Sequence, residues 1–367
     1  LHLLSRRQRQ MCIRDSYRPW KIQALESEQV QRLVRELEMP QLLCRVLAAR
    51  GYTNPETART VCEGVSALSD PMLLAGMEQA VERIHRAVDG GERVVVFGDY
   101  DVDGVTATAM LYTYLDSIGA EVYYKLPNRE EDGYGLSVPA VEQMAEKGVQ
   151  LIITVDNGIS AAEAVARASE LDMDVVVTDH HLPPETLPQA AALIDPQLPY
   201  DTSPCKTLCG AGVAYKLICA LEGASCEEML AYYADLAAIG TVADIMVLEG
   251  DNRTLVKAGL ELMQDSERPG LRALISACGP EDKPLTAESI SYAIAPKLNA
   301  AGRMKDATAA LQLLLCEDEE EAEETAHELI EQNNERRKTE QDIAAQIMEQ
   351  IAGADGHDKE RMIVVWG

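Results

Sequence analysis

Aromatic residues are scarce in this chain. One Phe and two Trp occur among 367 residues, with 13 Tyr. A protein that stacks unpaired bases on rings draws on such residues, so most stacking would have to come from elsewhere. Positive charge is short as well: 33 Lys and Arg face 61 Asp and Glu, a formal net charge of -28. Broad nucleic-acid surfaces are usually basic, so any such contact here must be local or made by a part outside this sequence. No apolar run approaches the roughly 20 residues that cross a membrane. No secretory signal is visible, and no membrane association is expected. The nine cysteines are scattered and odd in number, which excludes a disulfide framework. Reduced thiols in the cytoplasm are the simplest reading. Cys205 and Cys209 form the closest pair, at C-x3-C, with too few ligands nearby for a zinc site.

What is present is ordinary for a soluble globular protein: 47% apolar and 26% charged residues, in a length that allows two or three domains. Residues 1–16, "LHLLSRRQRQMCIRDS", are Arg-rich and without period, and read as a non-native tail. Residues 17–90 read as a helical segment. In it "SEQVQRLVRELEMPQLLCRVLAARG" carries one helical period to the stop signal Gly51, and "DPMLLAGMEQAVERIHRAVDGG" starts with Asp70 as N-cap and Pro71 at the first position.

From residue 91 the rhythm changes. "ERVVVFG", "EVYYKLP", "QLIITVD", "MDVVVTD" and "AALIDP" are short β-branched runs, with helical stretches such as Val105 to Ile118 between them. This alternation predicts an α/β fold, a parallel sheet flanked by helices. After Pro204 the chain turns helical, so residues 91–316 combine a sheet with a helical subregion. A long helix follows over 317–353, unbroken or with a slight break at Asn333 and Asn334, and polar enough for a solvated connector. Residues 354–367 end in "RMIVVWG", an apolar strand without a sheet partner, and are expected to begin a further domain that is cut off.

The carboxylates carry the chemistry. The first strand ends in "GDYDVDG", with Asp99, Asp101 and Asp103 at alternate positions. The third ends in Asp156, and the fourth in Asp179, His180 and His181. Sites in open parallel sheets form outside the carboxyl ends of the strands, so at least four carboxylates and two imidazoles converge. A lone Asp after a strand is most often a cap or turn residue, and a lone His most often structural. A set arriving at three strand ends needs divalent cations to offset its repulsion. Oxygen-rich ligation with imidazole suits Mn2+ or Mg2+, and a shared aspartate permits a pair of ions.

"GDYDVDG", "VDNGIS", "TDHH" and "GTVADIMVLEGDNR" together resemble the four motifs of the DHH phosphoesterases. "LPNREEDGYGL", "LCGAGVAYKL" and "APKLNAAGRM" are similar to segments of the branch made up of single-strand-specific 5'–3' exonucleases. The resemblance implies a two-metal phosphodiesterase that degrades single-stranded DNA from a 5' end to 5'-mononucleotides, in repair and recombination. It also implies a long helix leading to a DHH-associated domain. One ion would be held by Asp99, Asp101 and Asp156, and the other by Asp103, Asp156, His180 and Asp244. Asp179 would orient a histidine, and His181 would lie near the scissile phosphate. Arg129 would hold the 5'-terminal phosphate, and Arg303, after the small-residue turn "LNAAG", the scissile one, with Asn299 beside it on the substrate side. Arg129 and Arg303 are equally readable as surface ion pairs, and His181 as a structural hydrogen bond. The implied partners are single-stranded DNA, a single-strand-binding protein and a helicase, with the chain itself a monomer. Two other readings stay open: a DHH phosphoesterase of small substrates such as cyclic dinucleotides, short oligoribonucleotides or pyrophosphate, and a catalytically silent structural subunit.

Overall fold

The computed structural model describes residues 27–63, 67–127, 135–280, 283–304 and 307–353. The five β-branched runs are strands: β1 Arg93–Phe97, β2 Glu121–Lys125, β3 Leu151–Val155, β4 Asp174–Thr178 and β5 Ala192–Ile194. They form one sheet in the order β2-β1-β3-β4-β5, with every pair parallel. Side chains alternate between its faces. Val94, Val96, Leu151, Ile153, Val155 and Val176 enter one apolar core, and Val95, Phe97, Ile152, Val175 and Val177 the other. Both faces are therefore covered, as the continuous apolar runs predict. The register pairs Phe97 with Thr154 and Val155 with Thr178, so β1, β3 and β4 end level. Strand order reverses at β1 and β3, where such sheets open a crevice.

The chain divides into two units at Val65. The first holds helices α1 Ser27–Leu37, α2 Gln41–Ala49 and α3 Pro55–Glu63, around a core that includes Leu33, Cys44, Leu47 and Ala58. The single helix read across 27–51 is two helices. Pro40 has no amide hydrogen to donate and pushes Met39 out of the helical region, so it ends α1 and precedes α2. The division at Val65 also moves the expected boundary, which stood after residue 90. Helix α4 Met77–Gly90 belongs to the larger unit, where Met77, Ala80, Ile84 and Ala87 pack in the sheet's core. Asp70 does not cap that helix. It caps a 3-10 turn, Pro71–Leu73, by accepting from the Met72 amide, and α4 starts only after Gly76, at φ 80.

Helices α5 Val102–Ser117, α6 Val138–Glu146 and α7 Ala162–Glu170 are the crossovers. α6 and α7 cover one face; α4, α5, α8 Gly210–Glu222 and α9 Cys226–Ala243 contribute to the other core. α10 Gly250–Leu262 and α11 Pro269–Cys278 follow. The chain then passes through a short turn and a π-helical stretch, Ile290–Ile294, into α12 Ala295–Met304 and α13 Thr308–Leu315. The last helix, α14 Glu319–Gly353, runs unbroken through Asn333 and Asn334. Its first half buries one narrow stripe, Ala322, Ala326, Leu329 and Asn333, beneath an exposed polar face, and beyond that stripe the helix is polar and exposed. Residues 1–16 and 354–367, with the expectations placed on them, lie outside the described residues. Among the described residues no helix is long and apolar enough to cross a membrane.

Candidate metal centre

Three strand ends and one helix end build the site. After β1, Asp99 is buried, and Asp101 caps α5 by accepting from the amides of Asp103 (3.0 Å) and Gly104 (3.1 Å). The helix thus starts at Val102, three residues earlier than the apolar pattern indicates, and Asp103 lies in its first turn. A Cβ on Gly104 would stand 2.6 Å from the Asp99 amide nitrogen, so only glycine lets α5 close on this loop.

After β3, Asp156 is buried and adopts φ 63, a region that costs most L-residues about 1–2 kcal/mol. Asn157 secures the bend by donating its side-chain amide to the carbonyls of Phe97 (3.2 Å) and Val155 (2.9 Å). After β4, the Asp179 carboxylate accepts from the amides of Ile159 (2.9 Å), His180 (2.7 Å) and His181 (3.2 Å). It also pairs with His181 Nδ1 at 2.7 Å. The histidine that Asp179 orients is therefore His181.

At the end of α9, Asp244 turns toward this cluster. His180 Nε2 lies 3.0 Å from Asp156 Oδ1, 3.7 Å from Asp103 Oδ2 and 3.8 Å from Asp244 Oδ2. Three groups offer ligand atoms within 4.8 Å of one another: Asp99, Asp101 and Asp156; Asp103, His180 and Asp244; and Asp156, His180 and His181. Asp156 thus joins two of them, and all six expected ligands are brought together.

The electrostatics mark a site built for positive charge. Burial, then Asp101, pushes Asp99 up to about 7. Burial, then Asp103, pushes Asp244 up to about 6. Asp103 and Asp156, wholly enclosed, are also raised, above all by desolvation. Burial works against Asp179 too, but its hydrogen bonds from His181 and the backbone prevail and hold it below the usual range. His181 is pushed up to about 9, first by its bond to Asp179. Asp99 Oδ1 is buried without a hydrogen-bond partner, and Asp156 Oδ1, equally buried, has only the 3.0 Å contact with the His180 ring and no aligned donor. A buried carboxylate oxygen with no donor is costly, and a divalent cation satisfies it. Oxygen donors with one or two imidazoles fit Mn2+ or Mg2+.

The arginines are placed less directly. Arg129 lies outside the described residues. "LNAAG" is not a turn: Asn299 to Gly302 belong to α12, because alanines and leucine sustain a helix there. The expected close approach exists all the same. A Cβ on Gly302 would lie 2.4 Å from the Tyr100 carbonyl, so α12 packs directly on the Asp99–Asp101 loop. Half-buried Asn299 is three residues before Gly302, on the same helical face. Cys205 and Cys209 are buried and gather no further ligands among the described residues. The residues that sequence reasoning missed are Asn157, which ties β1 to β3, and Gly210 and Gly240, which leave room for Asp156 and Asp103; the close approach at Gly104 is the one expected of it. Asn157 sits inside a quoted motif, but its role shows only once the strands are paired.

A parallel sheet in this order, with its acidic strand ends and an Asp179-His180-His181 run at the crevice, defines a DHH domain. Residues 93–241 match the DHH family, N-terminal domain. The single-stranded-DNA-specific exonuclease RecJ of Bacillus subtilis is 38% identical over 346 residues, 94% of this chain and 43% of that protein. RecJ of Dickeya dadantii is 43% identical over 315 residues, 82% of this chain and 54% of that protein. A crystal structure of exonuclease RecJ bound to manganese superposes with TM-score 0.69 at 38% identity, covering 76% of this chain and 70% of that one. RecJ from Thermus thermophilus in complex with Mn2+ superposes with TM-score 0.77 at 34% identity, covering 92% of this chain and 48% of that one. The chain belongs to the RecJ family. It spans about half the length of the curated relatives it matches.

Proposed function

We propose that this chain carries the catalytic domain of a metal-dependent 5'–3' exonuclease that hydrolyses single-stranded DNA to 5'-mononucleotides in repair and recombination. The observation that carries the reading is the buried Asp99 Oδ1, which receives no hydrogen bond, beside Asp156 Oδ1, which meets only the His180 ring at 3.0 Å, inside a cluster to which three strand ends and α9 contribute. Asp99, Asp101 and Asp156 would hold one Mn2+ or Mg2+, and Asp103, Asp156, His180 and Asp244 the other. Bound ions supply an activated water and Lewis-acid stabilisation of the phosphate.

The chain's own residues do the rest. Asp179 fixes the His181 ring through Nδ1 and favours its protonated form, which would stabilise charge building on the scissile phosphate. Arg303, one residue beyond the contact of Gly302 with the metal loop, would grip that phosphate, with Asn299 on the same substrate side. Arg129 would grip the 5'-terminal phosphate, since a guanidinium matches phosphate oxygens bidentately. A net charge of -28 repels a polyanion at long range. The likeness to RecJ implies a single-strand-binding protein and a helicase that present unpaired 5' ends as partners, with the chain acting as a monomer in the cytoplasm.

The test is a nuclease assay on the full-length natural protein with Mn2+, using 5'-labelled single-stranded DNA, duplex DNA and dinucleotides. Release of mononucleotides from single strands alone is expected. Turnover of dinucleotides without degradation of long single strands would refute the reading. Arg129→Ala should reduce the preference for 5'-phosphate over 5'-hydroxyl ends by about 1.5–3 kcal/mol, one charge-assisted contact. An unchanged preference would leave Arg129 as a surface ion pair.

A further inference from the structure

The amides of Gly210, Ala211 and Gly212, at the start of helix α8, have no carbonyl partner inside the helix, and each donates elsewhere. Val213 donates to the Cys209 carbonyl (2.9 Å), and Gly212 donates to Cys209 Sγ (3.4 Å). The first two go to a residue 107 positions or more upstream: Gly210 donates to Asp103 Oδ2 at 2.6 Å and Ala211 to Asp103 Oδ1 at 2.9 Å. The helix end is thus capped on one side by a thiol and on the other by a carboxylate from the first turn of α5. Two glycines clear the ground. A Cβ on Gly210 would stand 2.4 Å from the Asp156 Cβ. A Cβ on Gly240, in the last turn of α9, would stand 2.6 Å from both Asp103 Oδ1 and the Ala211 Cβ. Glycine inside a helix costs about 1 kcal/mol against alanine, so Gly240 is retained at a cost to α9 itself.

We infer that the Cys209-Gly210-Ala211 turn, with Gly240 behind it, is a positioning element that fixes Asp103 and Asp156 in the geometry that receives divalent cations. This rests on the metal-site reading above. The turn acts on two carboxylates at once, from opposite sides. Its amides hold both oxygens of Asp103 and favour its charged form, while its missing side chain leaves Asp156 its place at φ 63. The remaining lone pairs of Asp103 stay available to an ion, since each carboxylate oxygen carries two.

The experiment compares Mn2+ binding by calorimetry in the chelator-stripped parent and in Gly210→Ala, Gly240→Ala and Gly212→Ala, each with a metal-free thermal melt. Gly212→Ala is the control from the same turn: the three atoms nearest its Cβ would all belong to the Leu208 side chain, with Cδ2 at 3.0 Å. It should bind like the parent. Gly210→Ala and Gly240→Ala should bind at least tenfold more weakly, with a metal-free melt that does not account for the loss. Parent affinity in either folded variant would overturn the inference. If neither variant folds, hydrogen exchange decides. In metal-free Asp103→Ala the peptide containing Gly210 and Ala211 should exchange at least tenfold faster than in the parent, and unchanged exchange would overturn the inference. A parent that binds no Mn2+ would instead defeat the metal reading, and the exchange measurement would still report on the docking of Asp103.

Discussion

Asp156→Asn removes one charge from the centre of the site and almost nothing else. Asparagine has the same shape, and with glycine and aspartate it is among the residues that best tolerate positive φ. It therefore suits the backbone at φ 63 and the close approach of Gly210. In the metal-free protein burial, and then Asp103, hold Asp156 well above the usual carboxylate range, so a neutral amide there relieves desolvation and repulsion. A neutral amide there should shift metal-free stability by no more than about 1 kcal/mol. The metal-bound protein is different. At Mn2+ a hundredfold above each dissociation constant, one ion adds about 2.7 kcal/mol, and two about 5. At roughly 2 °C per kcal/mol for a unit of this size, the parent should melt about 10 °C higher with Mn2+ than with a chelator. Asp156 belongs to two of the three ligand groups and lies 3.0 Å from His180, so the substitution should erase most of that rise. Scanning calorimetry of both proteins, with Mn2+ and with chelator, measures all four melting temperatures. An Asp156→Asn protein that keeps the full Mn2+-dependent rise would refute the shared role of this carboxylate.

Further outcomes follow from the same geometry. Metal-free, Asp244 and Asp99 take up protons at about 6 and about 7, and His181 at about 9, all above their unfolded values. The folded chain thus binds more protons than the unfolded one from about pH 4 upward, so stability is fullest at the acid end and falls as pH rises through 6, 7 and 9. The melting temperature of chelator-treated protein should drop between pH 5 and pH 8, and excess Mn2+ should abolish the drop; a rise over that range would contradict the assignment. If the ring acts on the phosphate, as proposed, His181→Ala should lower kcat by about 10²–10³ while leaving Mn2+ calorimetry unchanged; an equal loss of Mn2+ affinity would make it a ligand. Arg83, buried on α4, bonds Glu92 and Asp174 at 2.6 Å each. Arg83→Ala should cost roughly 2–3 kcal/mol in thermal unfolding, short of a fully buried pair because Asp174 is half exposed.

The sheet was legible because its signals are local. Five runs of β-branched residues, alternating with helical stretches, leave few arrangements other than parallel crossovers, and the strands fall where the runs do. Helix ends were harder. Asp101 starts α5 because its side chain caps two amides, a contact indistinguishable in sequence from metal ligation by the same carboxylate. Pro40 breaks a pattern whose apolar spacing continues on either side of it. The first half of α14 reads as polar because only a narrow stripe, Ala322, Ala326, Leu329 and Asn333, is buried, and small residues carry little hydropathy signal.

The site was legible to the extent that it hangs on strand ends. Asp99, Asp156 and Asp179 each follow a strand closely, and the register that levels β1, β3 and β4 collects them without further information. Asp244 has no such address. It ends an eighteen-residue helix whose approach to the sheet depends on how α8 and α9 pack over α5, and no period or spacing reports that. The same holds for Gly210 and Gly240. Each reads alone as a helix-start or helix-interior glycine, and each acquires a role only against Asp156 and Asp103 from other elements. What local pattern cannot carry is therefore the second wall of the crevice, and that wall decides whether the strand-end carboxylates are held apart for two ions or collapse together and keep their protons. Its glycines are where a substitution too small to disturb the fold should show first in metal binding.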